Sequence, residues 1–348
     1  MTIMGMGRRR VQSGAARGVC TPVAKVSGAA TSQGCVSPAV AQHVPVCSRR
    51  VVRVVASDGV QLRVADAGER GAPRTVVFLH GFCLSGASWM GHGDALLRFY
   101  GSGLRVISYD HRGHGFSHGG SAASYRIERL AEDLAEILQT LCVRGEVTLV
   151  GHSMGAMVAL TYMGRLYQPV VPTGLVLVGA AAGRLRQRGL GRALAVPGLR
   201  LLCRVGRRTP VGALRMLAQP LCVGLSQVRW AQTAGGGGAL AQVVAHALAD
   251  TSVSTIFGFL PALSDYDQYP MLGRVRARTV VISGESDVLT PPAHGLEVAA
   301  GIAGASHVCV PGAGHMLPQL AFGVVQSAIR LVLADQWCPE TNSGVAGE

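Results

Sequence analysis

The strongest limit on the fold is an alternation that repeats along the chain. Short, mostly apolar, β-rich runs at residues 75–79, 105–109, 147–150, 174–178, 279–283 and 306–310 are separated by longer stretches. A run of four or five apolar residues with no polar face suits a strand buried on both sides, as in a parallel sheet. Between the runs, residues 125–141 place Ile127, Leu130, Leu134, Ile137, Leu138 and Leu141 three or four apart, with acids between them. That is the period of an amphipathic helix. Residues 154–167, 292–302 and 317–334 read similarly. The alternation predicts a doubly wound α/β sheet with helices on both faces. Two more runs, 51–55 and 60–65, flank Ser57-Asp58-Gly59 and predict a hairpin ahead of it.

The same pattern sets the domain boundaries. Residues 49–182 and 269–336 form the α/β core. Residues 183–268 interrupt it between two buried strands, are rich in Leu, Ala and Arg, and are broken at Pro197, Pro210, Pro220 and the glycines 235–238. An insertion of that length must lie outside the sheet, so it is expected to be a helical cap over the strand ends. Residues 1–48 hold no sustained period and read as a disordered N-terminal extension, and 337–348 as a C-terminal tail. Arg8-Arg9-Arg10 could open an export signal, but Ser, Gly, Arg and Lys break residues 11–30, so the apolar stretch such a signal needs is missing.

Charge narrows the partners. The net charge of +13 is carried by residues 1–50 (+7) and 183–276 (+9), which leaves the remaining scaffold at −3. Basic patches attract nucleic acid, anionic lipid or acidic substrates. No module interleaving aromatic and basic residues is present, so no nucleic acid is expected. Arginines between the leucines of the insertion could give weak contact with an anionic membrane surface. No apolar run approaches the roughly 18 residues of a membrane span. The nine cysteines are odd in number, scattered and without a C-x-x-C pair. A disulfide framework or zinc site is therefore not expected, and a cytoplasmic location is the default. The sequence leaves the oligomeric state open.

The chemistry centres on Gly151-His152-Ser153-Met154-Gly155, a G-x-S-x-G motif between an apolar strand and a helical stretch. That context turns a common pentapeptide into a candidate nucleophile elbow, where a sharp turn exposes the serine hydroxyl. The bland reading is a Gly-rich turn with a passive serine. A hydroxyl nucleophile needs a base, and the base an orienting acid. Asp287 follows the strand 279–283, and His315 follows the strand 306–310 in Gly314-His315. Taken singly, Asp287 could be a helix cap and His315 a surface histidine. Their order after Ser153, each at a strand exit, points to a triad. Acyl transfer also needs backbone N–H groups aimed at a developing oxyanion. The loop Leu79-His80-Gly81-Phe82 follows its strand directly, and the donors are assigned to the N–H groups of Phe82 and Met154.

With His80-Gly81-Phe82, Asp110-His111-Arg112-Gly113-His114-Gly115-Phe116-Ser117, Gly151 to Gly155, Gly284-x-x-Asp287 and Gly314-His315 in place, the chain resembles the α/β-hydrolase superfamily over roughly 50–335. It looks most like its capped serine esterases, C–C bond hydrolases and haloperoxidase-like enzymes. The resemblance implies a mostly parallel, eight-stranded sheet with the cap between strands six and seven. It implies the same oxyanion residues, Phe82 and Met154, and a mainly structural role for 110–117. Cys83 departs from the pattern, since many relatives have Pro there. Relatives that open epoxides or remove halide carry Asp at the nucleophile position, and Ser153 argues against both activities here.

The remaining histidines invite a metal reading. His111, His114 and His118 have helical spacing, but Gly113 and Gly115 place them in a loop, and no carboxylate motif completes a site. Trp89 and Tyr125 are expected to be packing residues. The sequence thus predicts a serine hydrolase that cleaves a carboxylic ester or related acyl bond of an apolar or lipid-like small molecule, with no cofactor and no metal. A C–C bond hydrolase of a diketone-type substrate is the alternative within the enzymes. A non-catalytic ligand-binding relative is the alternative outside them.

Overall fold

The computed structural model describes residues 49–195, 197–208 and 251–334, all within one compact unit, Gln42–Glu348. The N-terminal extension 1–48, the tail 337–348 and much of the insertion, with Pro210, Pro220 and the glycines 235–238, lie outside the described residues.

All eight apolar runs are strands: β1 (Arg50–Val55), β2 (Gln61–Gly68), β3 (Arg74–Leu79), β4 (Leu104–Tyr109), β5 (Glu146–His152), β6 (Gly174–Val178), β7 (Arg278–Gly284) and β8 (Ser306–Val310). They form one sheet in the order β1-β2-β4-β3-β5-β6-β7-β8. The β1–β2 and β2–β4 pairs are antiparallel and every later pair is parallel. The β1–β2 hairpin turns at Gly59, which takes φ 83°, a value that favours glycine.

Successive side chains on a strand point to opposite faces, and both faces here are apolar. Val77 and Leu79 join a core with Leu130, Leu134, Met157 and Leu160. These last come from α2 (Ile127–Thr140) and α3 (Met154–Met163). Val76 and Phe78 join a second core with Trp89, Leu96, Val325 and Ile329. Leu96 lies on α1 (Met90–Tyr100). The expected doubly wound sheet, helices on both sides, is therefore present. Trp89 and Tyr125 are buried packing residues.

Between β6 and β7 the described part of the insertion begins with 3₁₀ turns at Leu185–Gln187 and Gly189–Ala195 and then α4 (Leu199–Arg208). It resumes with α5 (Val253–Asp265), which packs on α4, and α6 (Tyr269–Leu272) leads into β7. Glu297 of α7 (Pro292–Gly301) accepts hydrogen bonds from Arg188 and the Tyr269 hydroxyl. Residues near the two ends of the inserted segment are thus fastened to the same carboxylate.

The stretch 317–334 departs from the expected single helix. It breaks at Ala321 (φ −123°) into α8 (Leu317–Leu320) and α9 (Phe322–Leu333). Among the described residues no helix is long and apolar enough to cross a membrane.

Candidate active site

Ser153 sits between the end of β5 and the start of α3, with φ 53° and ψ −116°. Such a backbone is strained for a residue with a Cβ, by about 1–3 kcal/mol. The Ser153 N–H donates to Val178 O at 2.9 Å, which pins the turn to β6. The flanking glycines are required by space. A Cβ on Gly151 would lie 2.6 Å from the Ala156 nitrogen, and one on Gly155 would run into the carbonyl oxygen of Leu79 at the end of β3. Backbone atoms cannot rotate away. Gly155→Ala is expected to destabilise the fold by about 3 kcal/mol, read as a lower urea midpoint. An unchanged midpoint would show that α3 can shift without cost.

His315 and Asp287 stand in the loops after β8 and β7. The His315 Nδ1–H donates to Asp287 Oδ2 at 2.8 Å, and both side chains are buried. The carboxylate fixes the tautomer, because it can only accept, and Nε2 is left as the basic nitrogen. Asp287 Oδ1 accepts the N–H groups of Leu289 (2.8 Å) and Thr290 (2.9 Å). Burial raises the carboxyl pKa, but the hydrogen bonds and charge of His315 and the Thr290 donors outweigh it and hold Asp287 below its usual range. Among the described residues no hydrogen bond joins Ser153 Oγ to His315. The two line the same cavity, and such contacts often tighten only with substrate bound.

Phe82 and Met154 line that cavity too. Met154 is the first residue of α3, so its N–H is one of those a helix leaves without an internal partner. The Phe82 loop is held from behind by His80. His80 Nε2 accepts the His111 N–H at 2.9 Å, so Nδ1 carries the proton and donates to Gly81 O at 2.8 Å. Burial pushes its pKa down to about 4, which keeps the ring neutral. Cys83, the departure from the family pattern, takes φ 61° and is buried. Proline is locked near −65° and could not adopt that backbone. Burial pushes the Cys83 thiol up to about 12, so it is unreactive at neutral pH.

Sequence reasoning gave no role to three supporting residues: His80, His152 and Thr290. His152 Nε2–H donates to the His315 carbonyl at 2.9 Å, which ties the histidine loop to the elbow. Burial, and then the neighbouring His315, push the His152 pKa down to about 3. The available signal for His80 and His152 was only that each adjoins a motif residue. Residues 110–117 behave as expected: Asp110 is buried and accepts the N–H groups of Gly86 and Phe116 at 2.8 and 2.9 Å. His80, His111 and His114 pack ring against ring. Among the described residues no group of three or more His, Cys, Asp or Glu could hold a metal ion.

The cavity measures about 210 Å³. Its floor is Phe82, Ser153, Met154, Met157 and His315, and the inserted segment supplies Leu185, Leu190, Leu194 and Leu263. Among the described residues no carboxylate, lysine or arginine lines it. Phe259 of α5 packs its ring edge-on against Phe82, at 6.2 Å between centroids, so the inserted segment also touches the Phe82 loop.

A family model described as "Alpha/beta hydrolase family" matches residues 76–324. A non-heme chloroperoxidase of Kitasatospora aureofaciens is 38% identical over 121 residues, 35% of this chain and 38% of that protein. A bifunctional esterase/perhydrolase of Acinetobacter calcoaceticus is 37% identical over 113 residues, 32% of this chain and 38% of that protein. The chain therefore aligns with well under half the length of these two relatives. A solved hydrolase of Pseudomonas aeruginosa superposes with a TM-score of 0.63 at 25% identity, covering 82% of this chain and 98% of its own. A solved esterase of Exiguobacterium antarcticum, 24% identical, also gives 0.63 over 81% of this chain and 99% of its own, a likeness of fold. With the sheet order, the elbow and a family match over most of its length, this chain belongs to the alpha/beta hydrolase family.

Proposed function

We propose that the protein is a serine hydrolase that cleaves a carboxylic ester or related acyl bond through an acyl-enzyme, on an apolar or lipid-like substrate. The observation that carries this reading is the 2.8 Å bond from His315 Nδ1 to Asp287, beside a cavity that His315 shares with Ser153. His315 Nε2 takes the proton of Ser153 Oγ as the oxygen attacks the substrate carbonyl. The N–H groups of Phe82 and Met154 receive the oxyanion. Asp287 holds the imidazole tautomer and stabilises its protonated form. The tetrahedral species collapses, His315 returns the proton to the leaving alcohol, and the acyl group stays on Ser153. His315 then activates water, which releases the acid. Acyl transfer of this kind requires no cofactor.

The substrate class follows from the walls. Among the described residues the cavity is lined by Leu, Met and Phe without a charged side chain, which favours an apolar acyl or aryl group. Residues 183–268 act in this reading as the cap that closes the site, and the leucines it contributes support that role. A series of p-nitrophenyl esters is expected to peak beyond butyrate. A peak at acetate with nothing past butyrate would remove the apolar-substrate part. A panel adding thioesters, lactones and a diketone tests the bond type. Turnover of the diketone alone would move the assignment to C–C bond hydrolysis. Binding without turnover across the panel would mark a non-catalytic relative.

A further inference from the structure

The Thr290 hydroxyl is buried, with 4% of the residue exposed, and meets three groups of the site. It lies 2.9 Å from Asp287 Oδ2, 3.0 Å from Gly179 O and 3.2 Å from His315 Nδ1. These belong to the exits of β7, β6 and β8. A hydroxyl has one proton and two lone pairs. The Asp287 and Gly179 oxygens can only accept, so the proton can serve one of them at a time. The His315 Nδ1–H is a donor, so it faces a Thr290 lone pair. The Thr290 backbone N–H meanwhile holds Asp287 Oδ1 at 2.9 Å. One residue therefore grips both carboxylate oxygens and touches the proton between Asp287 and His315.

We propose that Thr290 is a positioning residue for His315: its hydroxyl is a second acceptor for Nδ1–H when the ring is protonated, freed for that role by turning its own proton to Gly179 O. The proposal rests on the acyl-enzyme reading above. In the resting state the ionised carboxylate attracts the Thr290 proton, since a charge-assisted bond is the stronger one. When His315 takes the Ser153 proton, the positive ring competes for Asp287 Oδ2 and for the lone pair of Thr290. The hydroxyl then rotates about its C–O bond, donates to Gly179 O and accepts from Nδ1–H. Both acceptors are in place beforehand, so no heavy atom has to move.

Thr290→Val keeps the shape and removes the hydroxyl, and Thr290→Ser keeps the hydroxyl. With the best p-nitrophenyl ester, the valine variant is expected to lose about ten-fold in kcat, as for one hydrogen bond to a charged group. KM should stay within about two-fold, because the bond gains strength only as the proton moves. The serine variant should recover most of the rate. The downfield NMR signal of the His315 Nδ1 proton should shift in the valine variant and hold its place in the serine one. Full kcat in Thr290→Val, a serine variant as slow as valine, or an unmoved Nδ1 proton signal overturns the proposal. Thr290→Ala carries the same expectations if the valine variant does not fold. Undiminished turnover in Ser153→Ala would overturn the acyl-enzyme reading itself. Loss there with an indifferent Thr290→Val would overturn only the role of Thr290.

Discussion

Replacing Ser153 by Ala is expected to lower kcat roughly 10⁶-fold, with KM changed only a few-fold. The asymmetry follows from the site. In the proposed mechanism Ser153 supplies the attacking oxygen, so its loss would remove the covalent route altogether. The cavity walls that would hold the substrate, Leu185, Leu190, Leu194 and Met157 among them, are untouched. Some acceleration should survive, because the N–H groups of Phe82 and Met154 would still receive an oxyanion formed by water attack. The strained backbone at Ser153 adds a second signature. Alanine must adopt the same φ of 53°, so the variant should not gain stability from the change. Labelling by a fluorophosphonate probe and a burst of p-nitrophenol in single-turnover experiments check the first point. A variant that still labels and still bursts would place the nucleophile elsewhere.

The second large effect concerns acid. Burial pushes His80 down to about 4, and His114 and His152 down to about 3. His111 and His92 move in the same direction, again mainly through burial. In the unfolded chain a histidine titrates near 6.5. Above that pH both states hold neutral rings and stability does not depend on these groups. Below it the unfolded chain binds protons that the folded protein refuses, so stability falls with falling pH until the folded pKa is reached. At pH 5 each of the first three costs about 2 kcal/mol, or about 6 together. Domains of this kind hold only about 5–15 kcal/mol in total. The protein is therefore expected to lose a large part of its stability by pH 5, in a range where most carboxylates are still ionised. Urea midpoints measured from pH 7.5 to 4.5 test this, and a midpoint that stays level down to pH 5 would refute it.

The strands were legible because the sheet is covered on both faces. The central strands then read as mostly apolar runs, while β1 and β8 at the sheet edges are only partly buried and still rich in Val, and eight such runs became eight strands. Their ends were less clear. β2 runs on past the expected 60–65 through Asp66-Ala67-Gly68, where buried Asp66 is held by Arg105 at 2.9 and 3.2 Å. That pairing is long-range and leaves no local pattern. Helix α1 went unread for a similar reason. Its sequence Met90 to Tyr100 contains Gly91 and Gly93, and its buried face is His92, Gly93, Leu96 and Leu97, too mixed to show a period.

The sequence picked out Ser153, Asp287, His315, Phe82 and Met154 because each follows a strand in a motif, and the structure brings Ser153, His315, Phe82 and Met154 to one cavity, with Asp287 bonded to His315. What those loops need from their neighbours was not legible. His152 acts through a carbonyl 163 positions away, and His80 through a backbone N–H 31 positions away. Nothing in a run of letters marks a side chain whose partner is someone else's backbone. Thr290 stood three residues after Asp287, a spacing at which short side chains commonly bond to each other or to the main chain. The metal-like histidine spacing had the opposite fate: the rings at 111 and 114 are packing surfaces, His111 in contact with Tyr109 and His114 with Phe259.

The pairing of β6 with β7 carries a consequence for how such a chain can change over time. These neighbours in the sheet are separated along the chain by the whole insertion, yet they register residue by residue from Gly174–Arg278 to Val178–Ile282. The entropy of closing a loop grows only with the logarithm of its length, so doubling the insertion would add about 0.6 kcal/mol. Lengthening or shortening that segment therefore costs the scaffold little, provided its ends stay tied and Leu185, Phe259 and Leu263 keep their places in the core. The fastening at Glu297 supplies that tie. Under the proposed function this segment also selects the substrate, so lineages descending from one scaffold would be free to vary its length, and with it what they accept, while the sheet beneath is inherited unaltered.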